Sequence, residues 1–256
     1  MSRSILLILP TYNERENLED LVREILALEI PGLDILIVDD QSPDGTWAVA
    51  DQLASHKRNV HVIHRKPPRG RGLAGIQGFR WARDKGYELA LEMDADFSHP
   101  PRYLPDLLAP FDQNPDIDLV IGSRYISGGK IEGWPLWRHA NSAVANWMAK
   151  TVLGLSAKDC TSGYRCFSKK ALEKIPWETL TATGPAIVEE ILVHFERQGL
   201  KSTEVPITFV ERERGTSKVS VGVILCWIRE LLRIRRSAST SSGPVPVGMN
   251  PDAKNH

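Results

Sequence analysis

The chain has 256 residues, with 32 Lys and Arg balanced by 32 Asp and Glu. That length suits one large domain or two small ones, and 42% hydrophobic with 25% charged residues excludes a disordered, collagen-like or disulfide-scaffold chain. Zero net charge gives no global drive toward nucleic acid, and three cysteines without a short paired spacing give neither a disulfide framework nor a zinc site.

In chain order, residues 4–9 form an apolar strand ending at Pro10. Leu18, Leu21, Val22, Ile25 and Leu26 then make one helical stripe, with Asn13 or Thr11 as its cap. A second strand, 35–38, ends at Asp39-Asp40, and the turn Ser42-Pro43-Asp44-Gly45 opens a helix to about Ser55. A third strand (60–64), a Pro/Gly/Arg-rich loop, a helix (73–85), a fourth strand (88–93) ending at Asp94-Ala95-Asp96, a helix (103–111) and a fifth strand (119–122) follow. Short apolar strands alternating with helices predict an α/β fold with a mostly parallel central sheet covered on both faces. The second half is less regular: a helix over 138–153, a polar loop at 159–165, a helix over 186–198, a strand over 201–209, a charged loop at 212–218 and a helix candidate over 219–236. Residues 237–256 read as a disordered Ser/Gly/Pro-rich tail. The expected division is a single catalytic domain (1–218), an amphipathic helix (219–236) and that tail.

The zero net charge hides segments of opposite sign. Residues 1–56 hold eleven acids against three bases, 57–85 nine bases against Asp84, 87–120 eight acids against Arg102, and 211–236 seven bases against three acids. In an open parallel sheet, ligands bind outside the carboxyl ends of the strands. The polar clusters 10–14, 39–40 and 94–96 all fall at such ends. Asp94-x-Asp96 offers paired hard oxygens suited to Mg²⁺ or Mn²⁺ together with substrate phosphates. Asp39-Asp40 can share that role or accept hydrogen bonds from a base and ribose. Gly70-Arg71-Gly72-Leu73-Ala74 matches neither the phosphate-loop pattern nor a clean dinucleotide fingerprint. His99, the His61/His64 pair and the three cysteines, read as reduced, need no functional role. Glu189-Glu190 offers a site pair by residue type but reads as helix surface or local packing.

Four motifs occur in order: Leu9-Pro10-Thr11-Tyr12-Asn13-Glu14, Val38-Asp39-Asp40-Gln41-Ser42-Pro43-Asp44-Gly45-Thr46, Met93-Asp94-Ala95-Asp96 and Gly122-Ser123-Arg124-Tyr125. With Asp159–Arg165 and Phe209 through Lys218, they resemble the inverting family 2 glycosyltransferases of the GT-A (Rossmann-like) fold, and most closely the polyprenol/dolichyl-phosphate mannosyltransferase branch. The resemblance spans residues 4 to about 235. It implies that Pro10, Tyr12, Glu14, Val38 and Asp40 line a guanosine pocket with Asp39 beside them, and that Asp94, Ala95 and Asp96 meet the diphosphate and its metal. It also implies that Arg124, Arg138, Arg212 and Lys218 hold phosphate groups. Ser98 stands where some members carry a third metal ligand, a place water can take. Arg71 is an added charge within what is usually G-L-G-x-A.

The implied reaction is mannose transfer from GDP-mannose to a polyprenyl phosphate with inversion. Its alternatives are a UDP-sugar donor, such as UDP-glucose with undecaprenyl phosphate, and a non-catalytic nucleotide-sugar scaffold. No apolar run reaches the roughly 18–20 residues of a membrane span, and the apolar segment after Arg3 is too short for a signal peptide. The expectation is a cytoplasmic protein, peripheral on the cytoplasmic membrane face, with a membrane-protein partner possible. The 219–236 helix and Trp134 and Trp137 either meet the headgroup layer or pack on the domain.

Overall fold

The computed structural model describes residues 3–182, 184–211 and 221–240. Its first half runs β1 (Ile5–Thr11), α1 (Leu18–Leu26), β2 (Leu33–Asp39), α2 (Thr46–His56), β3 (Val60–His64), α3 (Arg71–Lys85), β4 (Leu89–Glu92), α4 (Leu104–Gln113) and β5 (Leu119–Ser123). The second half runs β6 (Lys130–Glu132), α5 (Leu136–Leu153), β7 (Arg165–Ser168), α6 (Lys169–Lys174), α7 (Ile187–Arg197), β8 (Ser202–Pro206), β9 (Thr208–Val210) and α8 (Val221–Thr240).

Seven strands form one sheet in the order β3-β2-β1-β4-β7-β5-β8. All pairs are parallel except those of β7, which runs antiparallel to both β4 and β5. The alternation of side chains along a strand explains why the strands read as continuous apolar runs. On β1, Leu6 and Ile8 join the core beneath α3, α6 and α7, while Ile5, Leu7 and Leu9 join the opposite core beneath α1 and α4. In the first core Phe79 stacks on Trp177 at 4.8 Å and meets Phe167 edge-on at 5.0 Å.

The structure departs from the sequence expectations in several places. Leu18 starts α1 with Asn17 at the cap position, because Thr11 is still in β1 and the Leu18 N–H bonds Glu14 O. The expected loop at 159–165 ends inside a strand, since Arg165 opens β7. The strand expected over 201–209 is two strands in different sheets, split after Pro206, with β9 pairing β6. The helix α8 runs to Thr240, so residues 237–240 are not tail; Ser237 Oγ bonds Arg233 O one turn back. Residues 241–256 lie outside the described residues. On α8, Leu231 and Ile234 are buried, and Trp227 Nε1–H donates to Glu189 Oε1 at 3.2 Å, so this side of the helix packs on the domain. No helix among the described residues is long and apolar enough to cross a membrane.

Three glycines one turn apart let α3 lie close to its neighbours. A Cβ at Gly72 would stand 2.8 Å from Ile187, at Gly75 2.5 Å from Glu92, and at Gly78 2.4 Å from Ile8. Of the glycine-rich segment that matched no phosphate-binding pattern, Gly72 therefore belongs to a packing face that continues through Gly75 and Gly78. Gly78→Ala gains about 1 kcal/mol of helix propensity but overpacks a fully buried strand, at a cost of about 1–3 kcal/mol. Because the added Cβ would stand only 2.4 Å from Ile8, the upper part of that range, about 2–3 kcal/mol, applies, and we expect a net loss of roughly 1–2 kcal/mol in urea unfolding; an unchanged midpoint would mean that α3 can lift off the sheet.

Candidate active site

The carboxyl ends of β1, β2 and β4 open into one cleft of about 380 Å³. Pro10, Tyr12, Glu14, Asp40 and the run Asp94–Asp96 line it, together with Arg69 and Gly70 from the β3–α3 loop and Arg71, the first residue of α3. Val38 and Asp39 are not part of the lining; both lie buried in β2 behind it.

Side chains of the 42–46 turn hold the loop after β1. Asn13 N–H donates to Ser42 Oγ at 3.1 Å, and Glu14 N–H to Thr46 Oγ1 at 2.9 Å. Asp44 accepts from Thr46 N–H and Oγ1–H and from Arg15 N–H. Partial burial works to raise the Asp44 carboxyl, but these hydrogen bonds outweigh it and hold the group below its usual range. This motif therefore fixes the geometry of the cleft wall.

Asp40 does not present a bare carboxylate to a ligand. Its Oδ1 is ion-paired with the buried Arg65 guanidinium, and its Oδ2 accepts from Gly70 N–H at 2.6 Å. Arg65 also binds Gln77 and Pro68 O, so this pair locks the β3–α3 loop onto the end of β2. That loop carries Arg69, which sits over the Tyr12 ring at 5.3 Å and donates to Tyr12 Oη and Gln41 O. The Tyr12–Arg69 shelf offers a flat aromatic and cationic surface at the cleft mouth. Only the basic run 57–85 hinted at Arg69 in the sequence.

Asp94 and Asp96 flank Ala95 at the cleft floor. Asp94 Oδ1 is paired with Arg71. Asp96 Oδ1 accepts from Ser98 N–H at 3.1 Å and Oγ–H at 2.5 Å, so Ser98 orients the carboxylate. No cluster of three His, Cys, Asp or Glu ligands exists among the described residues. Two hard carboxylates suit a divalent ion that takes its remaining ligands from phosphate and water. His99 lies beneath, stacked on Tyr164, and its Nδ1 accepts from Asp94 N–H at 3.0 Å. Burial pushes its pKa down, leaving a neutral structural ring.

Two buried groups beside the site escaped the sequence reading. Glu92 ends β4 opposite Arg165 in register. Burial pushes the Glu92 carboxyl up to about 7 and the Arg165 guanidinium down to about 10. Arg165 donates to Val188 O and Cys160 O. Glu189 and Glu190 are buried rather than on the helix surface. Burial raises Glu189 to about 7, while Glu190 accepts from Thr181 and Ala182.

Of the four cations assigned to phosphate, the two described ones, Arg124 and Arg138, lie outside the cleft lining. Arg124 makes a bidentate pair with Asp159, also binds Thr161, and keeps only 7% of its side chain exposed. Arg138 is paired with Glu211 and lies 4.2 Å over the Trp134 ring. Neither lines the cleft, and Arg212 and Lys218 lie outside the described residues. Trp134 also packs against Phe209, so of the two expected interfacial tryptophans only Trp137 is exposed.

Residues 6–176 match the family model described as Glycosyl transferase family 2. An undecaprenyl-phosphate mannosyltransferase of Micrococcus luteus is 43% identical over 220 residues, 86% of this chain and 89% of that protein. A polyprenol monophosphomannose synthase of Mycolicibacterium smegmatis is 44% identical over 216 residues, 84% of this chain and 80% of that one. Glucosyl-3-phosphoglycerate synthase from Mycobacterium tuberculosis, solved with Mn²⁺ and UDP-glucose, superposes with a TM-score of 0.65 at 20% identity, over 92% of this chain and 79% of that one. That last likeness is one of fold, and the mixed α/β architecture with its mostly parallel sheet is the GT-A architecture. By the match over residues 6–176 and the identity to two named relatives, the chain belongs to glycosyl transferase family 2 and is a glycosyltransferase.

Proposed function

We propose that the chain transfers mannose from GDP-mannose to a polyprenyl (dolichyl-type) phosphate, with inversion, giving a β-mannosyl lipid phosphate and GDP. The observation that supports this most is the 43–44% identity to two polyprenyl-phosphate mannosyltransferases over more than 80% of the chain. The cleft suits the chemistry. The Tyr12–Arg69 shelf can stack on a base, and Asp94 and Asp96 would hold Mg²⁺ or Mn²⁺. That ion would offset the negative charge that develops on the leaving diphosphate. The acceptor is a phosphate monoester, mostly ionised at pH 7, so the attacking oxygen needs no general base. What the chain must supply is orientation and positive charge at the basic lip formed by Arg69 and Arg71, with Arg212 and Lys218 the further candidates for the acceptor phosphate. A UDP-sugar donor is the second reading, prompted by the UDP-glucose complex of the fold neighbour.

A lipid acceptor requires access to a membrane surface. Leu136, Trp137, Val144 and Trp147 are exposed along α5, Leu136 by 88% and Trp147 by 65%. Their spacing places them along one side of an amphipathic helix, which can lie in the headgroup layer. This face, rather than the packed side of α8, is the contact we assign to the membrane.

Labelled GDP-mannose, Mg²⁺ or Mn²⁺ and a polyprenyl phosphate should yield an organic-soluble product, with labelled UDP-glucose giving none. Asp94→Asn and Asp96→Asn should each lower the rate by roughly 10²–10³; a variant at full rate would remove that carboxylate from the site. Vesicle flotation with lipids alone should retain the wild-type chain and lose Trp137→Ser/Trp147→Ser, whereas equal flotation would exclude α5 as the contact. Arg124→Ala leaves Asp159 buried and unpaired, and should cost about 3–5 kcal/mol of stability at pH 7. Burial acts to raise the Asp159 carboxyl, but Arg124 outweighs it and holds the group below 3.8. Its pairing thus stabilises the fold above about pH 4 and is lost as the pH falls further. The gap between wild type and variant in urea unfolding should narrow below that pH; a constant gap would assign the loss to packing.

A further inference from the structure

Arg71 is the charge that the sequence left without a purpose. It is the first residue of α3 and lines the cleft, and its guanidinium is ion-paired with Asp94 Oδ1. Its Nη2 lies against Gly163, where an added Cβ would come within 2.7 Å, so the bare backbone of the 159–165 loop leaves room for it. Glu92, Asp94 and Asp96 are the acids whose charges act on it. The side chain is nonetheless 47% exposed, and a half-exposed arginine can swing about its long stem without breaking the core.

We infer that Arg71 is a resident counter-ion of the Asp94–Asp96 floor, which competes with the divalent ion for Asp94 before the nucleotide binds and turns its fork onto the donor diphosphate once that ion is bound. This rests on the nucleotide-sugar reading given under Proposed function. A monocation at Asp94 opposes binding of a divalent ion in two ways: it occupies an oxygen, and it repels the incoming charge. A nucleoside diphosphate reverses that balance. It brings phosphate oxygens that accept bidentate N–H bonds from a guanidinium, so the arginine loses one anion and gains another. Ion and nucleotide then bind in linked fashion, each more tightly when the other is present. A leucine here, as in the G-L-G-x-A form of the segment, would leave Asp94 open to the ion and give the diphosphate no fork.

The test uses the full chain and two binding readouts: Mn²⁺ titration followed by the free-ion spin-resonance signal, with and without GDP, and GDP titration by calorimetry in Mn²⁺. Arg71→Leu should tighten nucleotide-free Mn²⁺ binding about 5–10-fold and weaken GDP binding in Mn²⁺ by a similar factor, the scale of one net hydrogen-bonded contact at a half-exposed, solvent-screened site. Arg71→Lys, which keeps the charge and loses the fork, should hold nucleotide-free Mn²⁺ binding near the wild-type value while still weakening GDP binding. If Arg71→Leu does not fold by circular dichroism, Arg71→Lys decides alone. Nucleotide-free Mn²⁺ affinity unchanged in Arg71→Leu, or GDP affinity unchanged in Arg71→Lys, overturns the inference. Wild-type chain that binds GDP neither with nor without Mn²⁺ overturns the nucleotide-sugar reading, and the inference with it.

Discussion

The close seating of α3 against the sheet sets most of what the site can be. With Gly75 over Glu92 and Gly78 over Ile8, the helix axis lies nearer to β4 and β1 than side chains would allow. Its amino end is thereby brought level with the ends of those strands. Arg69, Gly70 and Arg71 then meet Tyr12, Asp40 and Asp94 directly. The positive end of the helix dipole points into the same cleft, which adds to a field suited to phosphate. A larger residue at either glycine would lift the helix and draw the basic lip away from the carboxylates.

The second organising feature is electrostatic. The acids at the strand ends and the bases of the later segments cancel in the sum, and the structure shows many of them cancelling in pairs. Arg65 meets Asp40, Arg71 meets Asp94, Arg124 meets Asp159, and Arg138 meets Glu211. The two most buried of these, Arg65–Asp40 and Arg124–Asp159, carry desolvation costs that offset much of their Coulomb attraction. Their contribution is therefore to positional definition. Arg65–Asp40 pins the loop that carries the shelf, and Arg124–Asp159 ties the end of β5 to the loop before β7. The half-exposed Arg71–Asp94 pair can exchange partners in a way the buried ones cannot.

The first half of the fold was legible because a doubly covered parallel sheet writes itself as apolar runs between amphipathic helices, and each run became a strand within about two residues. The antiparallel β7 was not: four residues beginning with a buried arginine carry neither an apolar run nor an alternation. The division between β8 and β9 was also hidden, since the chain stays extended while changing sheets. At the site, the carboxylates were legible by their place after strands. Their partners were not, because Arg65–Asp40, Arg69–Tyr12 and Arg124–Asp159 join residues 25, 57 and 35 positions apart. Motif type alone therefore named Asp40 and Arg124 without their partners: Asp40 lines the cleft while paired with Arg65, and Arg124 is paired with Asp159.

The strand ends share one further property. Asn13, Gln41 and Phe97 all have φ near +60°, one in each loop that follows β1, β2 and β4. Asparagine tolerates that region, but for glutamine and phenylalanine it costs on the order of 1 kcal/mol each. In two of the three loops the strained residue is followed by a serine whose N–H returns to a carboxylate just before it: Ser42 to Asp39 at 3.2 Å, and Ser98 to Asp96 at 3.1 Å. The strain thus delivers a backbone donor to each acid and selects its rotamer before any ligand arrives. The sheet and the close-packed α3 hold these turns in place. The ordering cost is met when the chain folds, so under the proposed function an incoming diphosphate and ion would find Asp96 already aimed.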